Sequence, residues 1–200
     1  MLLKGAKFTF SYYVFASEAD ALVYGRQKGL PHVGETTTLT LGGQEYTFQS
    51  RFLYGYEGVA NQGSGYSQAN GIWIHYTGGG NGWNENAEYL NNPETAGFAL
   101  GKGKNLTPYI HVAADQSVAP KGSLLYAPGL SQTPSGGLVT VKDAGGKIVG
   151  PILDQFVGFG LNTGYEFKNT YERLPSPVYI AVKDAPLTVN PSEFASRTMK

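Results

Sequence analysis

The sequence predicts a mainly β chain, all-β apart from one or two short helices, and three observations support this. Its 28 glycines and 11 prolines are scattered along 200 residues, where they divide the chain into short elements. Its 14 tyrosines and 10 phenylalanines fall between those breaks, and aromatic side chains suit the half-buried surface of a sheet. Short apolar runs bounded by Gly or Pro recur through the second half, which is how short strands read. Residues 1–200 are expected to form a single domain, because barrels and sandwiches reach this size as one unit with a sizeable core.

Taken in order, Lys7 to Phe15 is aromatic and β-branched enough for a strand. Ser17 to Tyr24 follows as a short capped helix. Thr36 to Leu41 and Gln44 to Phe52 alternate around Gly42-Gly43 and predict a β-hairpin. Gly71 to Thr77 is a further strand, leading into the glycine loop Gly78 to Gly82, which can border a groove. Asn84 to Lys104 shows no clear period and is expected to be irregular. Five runs then follow closely: Tyr109 to Ala114, Ser123 to Tyr126, Leu138 to Val141, Lys147 to Leu153 and Val178 to Val182. Their spacing implies a compact barrel, with Val178 to Val182 closing the sheet despite the turn-forming Pro175, Pro177, Pro186 and Pro191 around it.

Charge and composition exclude several functions. Lys and Arg number 15 and Asp and Glu 15, so the net charge is zero, and no basic block exists to neutralise a phosphate backbone. Nucleic acid is not an expected partner. Cysteine is absent, which removes disulfides and thiolate metal sites. The longest uncharged stretches, Gly58 to Asn84 and Gly122 to Val141, are rich in Gly, Ser, Asn and Pro, so membrane insertion is not expected. His32, His75 and His111 lie far apart, without the spacing of a zinc site, and no metal is expected; His75 is placed in a strand. Gly101 to Lys104 lacks the strand and helix of a phosphate loop, and Ser64, Ser67 and Ser135 lack a neighbouring His and Asp pattern.

Three carboxylates stand at strand ends: Asp115 in HVAADQSVAPKG, Asp143 in LVTVKDAGGKIVG and Asp154 in PILDQFVGFG. Singly, each reads as the start of a turn. Together, D-x4-P-x-G from Asp115 to Gly122 and D-x-G-G-x-I-x-G-x3-D-x3-G-x-G from Asp143 to Gly160 form a long and unusual pattern. It resembles the three-aspartate, or 3D, domain of membrane-bound lytic transglycosylase A and of the stationary-phase survival muralytic proteins. The resemblance has its core at residues 110–160, with weaker support near Tyr66 to Gly78. It implies a double-psi β-barrel, here with an N-terminal strand and hairpin elaboration. It also implies that Asp154 is the catalytic residue, with Asp143 and Asp115 shaping the field of the site and holding the sugar. Ala144 and the Ile152-Leu153 pair depart from the residues that family members commonly have there.

The implied reaction cuts the β-1,4 bond between N-acetylmuramic acid and N-acetylglucosamine and leaves a 1,6-anhydro sugar. One carboxyl can serve as acid and then as base, provided that burial and a like charge raise its pKa. No cofactor is expected. Peptidoglycan glycan strands are the expected partner, in the cell wall, the periplasm or outside the cell, with an immunity or inhibitor protein as a further partner if the chain is a delivered toxin. Met1 to Lys7 lack the apolar run of a secretory signal, so export after signal removal or by another route is expected. Trp73, Tyr76 and Thr77 are taken as substrate contacts, with Gly145, Gly146 and Phe156. Trp83 also flanks the glycine loop; the alternative keeps Trp73 in the core and Trp83 as partly exposed packing. Two other functions remain open: a noncatalytic, expansin-like wall-binding protein, and a glycoside hydrolase on the same barrel.

Overall fold

The computed structural model describes residues 2–76, 82–85, 106–172 and 175–180. Eleven strands and four α-helices are assigned among them. The strands are β1 (Leu2–Ser17), β2 (Thr36–Leu41), β3 (Gln44–Gln49), β4 (Ser64–Ser67), β5 (Ile72–Tyr76), β6 (Trp83–Glu85), β7 (His111–Ala114), β8 (Leu124–Tyr126), β9 (Leu138–Asp143), β10 (Ile152–Phe159) and β11 (Ser176–Ile180). The helices are α1 (Glu18–Lys28), α2 (Ser50–Tyr54), α3 (Val59–Gln62) and α4 (Leu161–Tyr171).

Six strands close on themselves in the order β1-β10-β7-β9-β8-β11, with β11 returning to β1. Two of the pairings, β1 with β10 and β7 with β9, are parallel; the others are antiparallel. Closure leaves these strands with no free edge. Side chains alternate across each strand, so Phe8, Phe10 and Val14 of β1 point inward with Val112, Leu125, Val139, Val141, Leu153 and Val157, all essentially inaccessible to water. Burying each such side chain contributes roughly 1.5–3 kcal/mol. The intervening residues, Tyr13 and Phe15 of β1, Ala113 of β7 and Phe156 of β10, face outward into a separate aromatic cluster with Trp73 and Leu106.

The far end of β1 leaves the ring and pairs with β4, which carries β5 and β6. A third apolar cluster, including Phe48, Phe52, Leu53 and Ile74, joins this sheet to the β2-β3 hairpin. Gly42 and Gly43 both have positive φ, 58° and 86°, as the two-residue hairpin turn requires. Helix α1 begins as expected, with the Ser17 side chain accepting from Asp20 N, and it runs on to Lys28.

Three expectations are corrected. The run from Gln44 to Phe52 ceases to be a strand at Gln49, because Ser50 to Tyr54 turns into α2 and buries Phe52 and Leu53 in the hairpin cluster. The strand placed at Lys147 to Leu153 lies later, at Ile152–Phe159: Gly150 at φ 76° and Pro151 belong to the approach, and the glycines of the F-V-G-F-G segment do not stop pairing with β1. Helix α4 was not foreseen. Its Asn, Thr and Gly residues are indifferent helix formers, and its N-cap residue, Gly160, has no side chain to cap it; Asp20 of α1 instead accepts a hydrogen bond from Leu161 N at 2.9 Å. Gly164 lets α4 pack closely, since a Cβ there would lie 2.4 Å from the Tyr12 ring. Thr77, the Gly78 to Asn81 part of the glycine loop, most of the Asn84 to Lys104 stretch, and residues 181 and 182 of the last expected strand lie outside the described residues.

Candidate active site

Strand alternation directs Asp154 to the outer face of the ring, between the inward-facing Leu153 and Gln155. Its register partner on β1 is Ser11, and on β7 it is Ala113. Directly opposed residues share a face. Accordingly, the Ser11 hydroxyl donates to Asp154 Oδ1 at 2.5 Å. The carboxyl is half-buried, on the same face as Phe156 and Tyr13, whose rings meet at 5.3 Å. Burial pushes its pKa up to about 6, the Ser11 hydrogen bond pulls in the opposite direction, and Asp143 adds like-charge repulsion.

Asp143 reaches the same face through an irregularity. Val139 and Val141 of β9 point into the barrel, so strict alternation would send Asp143 inward as well. The β7-β9 register instead shifts between Val112 and Ala113, skipping Lys142 and setting Asp143 opposite Ala113. A bulge of this kind re-aims a side chain. Asp154 and Asp143 therefore flank Ala113 from either side, with Cα atoms two strand spacings apart, roughly 9–10 Å. The methyl of Ala113 is the only side chain in that row between them. Asp143 accepts from Ala144 N at 2.8 Å and, more weakly, from the Tyr13 hydroxyl at 3.4 Å. Burial and the two aspartates hold the Tyr13 hydroxyl well above its usual pKa, so it remains a donor.

Asp115 does different work. Its Oδ1 accepts from Ser117 N and Ser117 Oγ, at 2.9 and 2.7 Å, and its Oδ2 accepts from Gly150 N at 2.8 Å. These bonds, that from Gly150 foremost, lower its pKa. The carboxylate ties the end of β7 to the loop that leads from Asp143 into β10.

Two of the expected substrate contacts are corrected by burial. Phe156 is 0% exposed, its ring packed against Tyr13 and Phe15. Trp73 is 5% exposed, its ring packed against Phe15, Tyr66 and Phe159; the protein already occupies the surface on which a sugar would stack. Tyr76 projects from the other side of β5, where it meets Trp83 at 4.7 Å. Gly145 and Gly146 are exposed in the loop after Asp143, and Lys147 Nζ beside them donates to Asn61 Oδ1 of α3 at 3.2 Å. His75 lies on β5, its Nδ1 2.8 Å from Ser64 Oγ. Ser11 and Tyr13 were missed by sequence reasoning. They stand 143 and 130 residues from the aspartates they touch, and the only local sign was the alternation of β1, which puts them on one face.

Among the described residues no three His, Asp or Glu side chains gather as a metal-binding group, and no helix is long and apolar enough to cross a membrane.

The stretch that contains all three aspartates also agrees with a known family. Residues 110–172 match the 3D domain. No curated protein matches the sequence. Among solved structures, MltA from E. coli aligns with 88% of this chain and 72% of its own at 14% identity and a TM-score of 0.50. E. coli MltA with bound chitohexaose aligns with 90% of this chain and 72% of its own, again at 14% identity, with a TM-score of 0.53. At that identity the likeness is one of fold, and the fold is the double-psi β-barrel. The matched stretch supplies β7 to β10 and α4, and with them both carboxyls of the Asp154 and Asp143 pair. Ser11 and Tyr13 come from β1, outside the matched stretch.

Proposed function

We propose that this chain is a peptidoglycan lytic transglycosylase in which Asp154 acts first as general acid and then as general base. The observation that carries the reading is a half-buried carboxyl with pKa near 6, standing on an outward face beside a second carboxyl. Because water solvates the ionised form poorly there, a useful fraction keeps its proton close to neutral pH. The 3D match and the MltA fold support the same assignment, and the chitohexaose complex supports a glycan as ligand.

In this mechanism protonated Asp154 gives its hydrogen to the glycosidic oxygen as the bond to C1 breaks. Positive charge develops on C1 and the ring oxygen, and Asp143, oriented by Ala144 N and Tyr13, lies on the same face to stabilise it. The Asp154 carboxylate then accepts the C6 hydroxyl proton of N-acetylmuramic acid while that oxygen bonds to C1. The acid is regenerated and the product is a 1,6-anhydro sugar. No water is consumed, so the second carboxylate that a hydrolase uses to activate water or attack the sugar has no such role. The chain would act as one domain in the cell wall, in the periplasm or outside the cell, with Gly145 and Gly146 of the exposed loop after Asp143 as substrate contacts.

The test is digestion of purified sacculi followed by mass spectrometry. Wild-type protein is expected to release 1,6-anhydromuropeptides, and Asp154→Asn to release at least a thousandfold less, in line with the loss of a general acid and base. Reducing-end products would identify a hydrolase instead. Uncut strands that nonetheless retain bound protein would identify a noncatalytic wall binder.

A further inference from the structure

We propose that Ser11 is a positioning residue that gives the two oxygens of Asp154 different work: the hydroxyl holds Oδ1, and Oδ2 carries and delivers the proton. This rests on the reading of Asp154 as the acid and adds a residue and an atom to it. The Ser11 hydroxyl has one hydrogen and donates it to Oδ1 at 2.5 Å. A proton on that same oxygen would compete with the donor for its lone pairs. Oδ2 lies on the far side of the carboxyl carbon and accepts no hydrogen bond among the described residues. The two strands are held in register here by parallel pairing of Thr9 through Tyr13 with Ile152 through Phe156, so the hydroxyl is aimed by the ladder itself.

The same bond serves both halves of the reaction. With Asp154 protonated, Ser11 keeps the carboxyl plane fixed so that the Oδ2 hydrogen points to a constant place. When that proton has passed to the leaving oxygen, the bond to Oδ1 becomes charge-assisted and stronger, which stabilises the carboxylate until Oδ2 takes the C6 hydroxyl proton. One C–O bond breaks and one forms; the first proton leaves on the glycosidic oxygen, and Oδ2 ends protonated again by the one taken from the C6 hydroxyl. The titratable groups facing this carboxyl are Tyr13 from β1 and Asp143 from β9; β7 contributes Ala113, which does not titrate. Among the described residues Ser11 favours the ionised form, against burial and Asp143.

The experiment pairs a titration with kinetics on the full chain. Protein labelled with 13C at aspartate carboxyls is titrated by NMR, Asp154 being assigned by its absence in Asp154→Asn. In Ser11→Ala, Asp154 is expected to titrate about one pH unit higher, the size of one hydrogen bond to a charged group. The alkaline limb of kcat for release of 1,6-anhydro products should move by the same amount, with kcat at its optimum roughly tenfold lower and KM within twofold, and Ser11→Thr should restore both. An Asp154 titration unchanged by Ser11→Ala overturns the proposal even in an active enzyme, as does a Thr variant that folds but restores nothing. Wild-type protein that yields no 1,6-anhydro product sinks the catalytic reading instead, whatever the titration shows.

Discussion

Replacing Asp154 by Asn removes a charge while preserving shape, and Asn is a close mimic of the protonated carboxyl. Its Oδ1 can still accept from Ser11, and its amide group occupies the place of the acidic Oδ2 hydrogen. Raising the carboxyl from 3.8 in an open chain to about 6 in the fold makes ionisation in the native state costlier by about 3 kcal/mol, at about 1.4 kcal/mol per tenfold. The direction follows from linkage. Below about pH 4 the group is neutral in both states and costs nothing. As the pH rises towards 6 the unfolded chain ionises while the native one does not, so native stability falls; above 6 both are ionised and the loss is complete. Asn has no such dependence. Urea unfolding should therefore show Asp154→Asn and wild type equally stable at pH 3.5, and the variant ahead by ~2–3 kcal/mol at pH 7.5. Equal stability at both pH values, or a less stable variant at pH 7.5, would refute the idea that the surroundings penalise the ionised carboxyl.

Other measurements bear on the neighbours of that group. In the wild type kcat/KM should fall as pH rises through about 6, because the protonated acid is consumed. Asp143→Asn removes a like charge and so lets Asp154 ionise more readily; this limb should move acidward, and kcat should drop roughly ten- to a hundredfold through lost charge stabilisation. A limb that moves to higher pH would contradict the arrangement across Ala113. Gly164→Ala tests the packing of α4: helix propensity alone would add about 1 kcal/mol, but a Cβ 2.4 Å from the Tyr12 ring should reverse the sign to a loss of ~1–3 kcal/mol in urea unfolding.

Some features were legible along the chain because their causes are local. A glycine pair between alternating runs makes the β2-β3 turn, and Ser17 caps α1, through contacts spanning a few residues. The 3D pattern was legible too, since its aspartates and glycines lie within one connected stretch. Helix α4 was not, because it depends on Gly164 meeting Tyr12 and on Asp20 reaching Leu161, contacts separated by about 140 residues or more. The limits of β10 were hidden for the same reason: pairing with β1 outweighs Gly158 within it. Trp73 read equally well as a ligand contact or core and Phe156 read as a ligand contact, whereas both are buried in one cluster, which no local pattern expresses.

The amino-acid order was enough for a β-rich barrel and for the three aspartates, since strand alternation, turn residues and motif spacing are properties of neighbouring positions. Which carboxyl would be pushed up in pKa, and which would be tied down, depended on distant chain segments meeting. Asp154 meets Ser11, Asp143 is turned outward by a skipped Lys142, and Asp115 is anchored by Ser117 and Gly150. Desolvation and charge repulsion act through space, and proximity in space is set by how the strands pair.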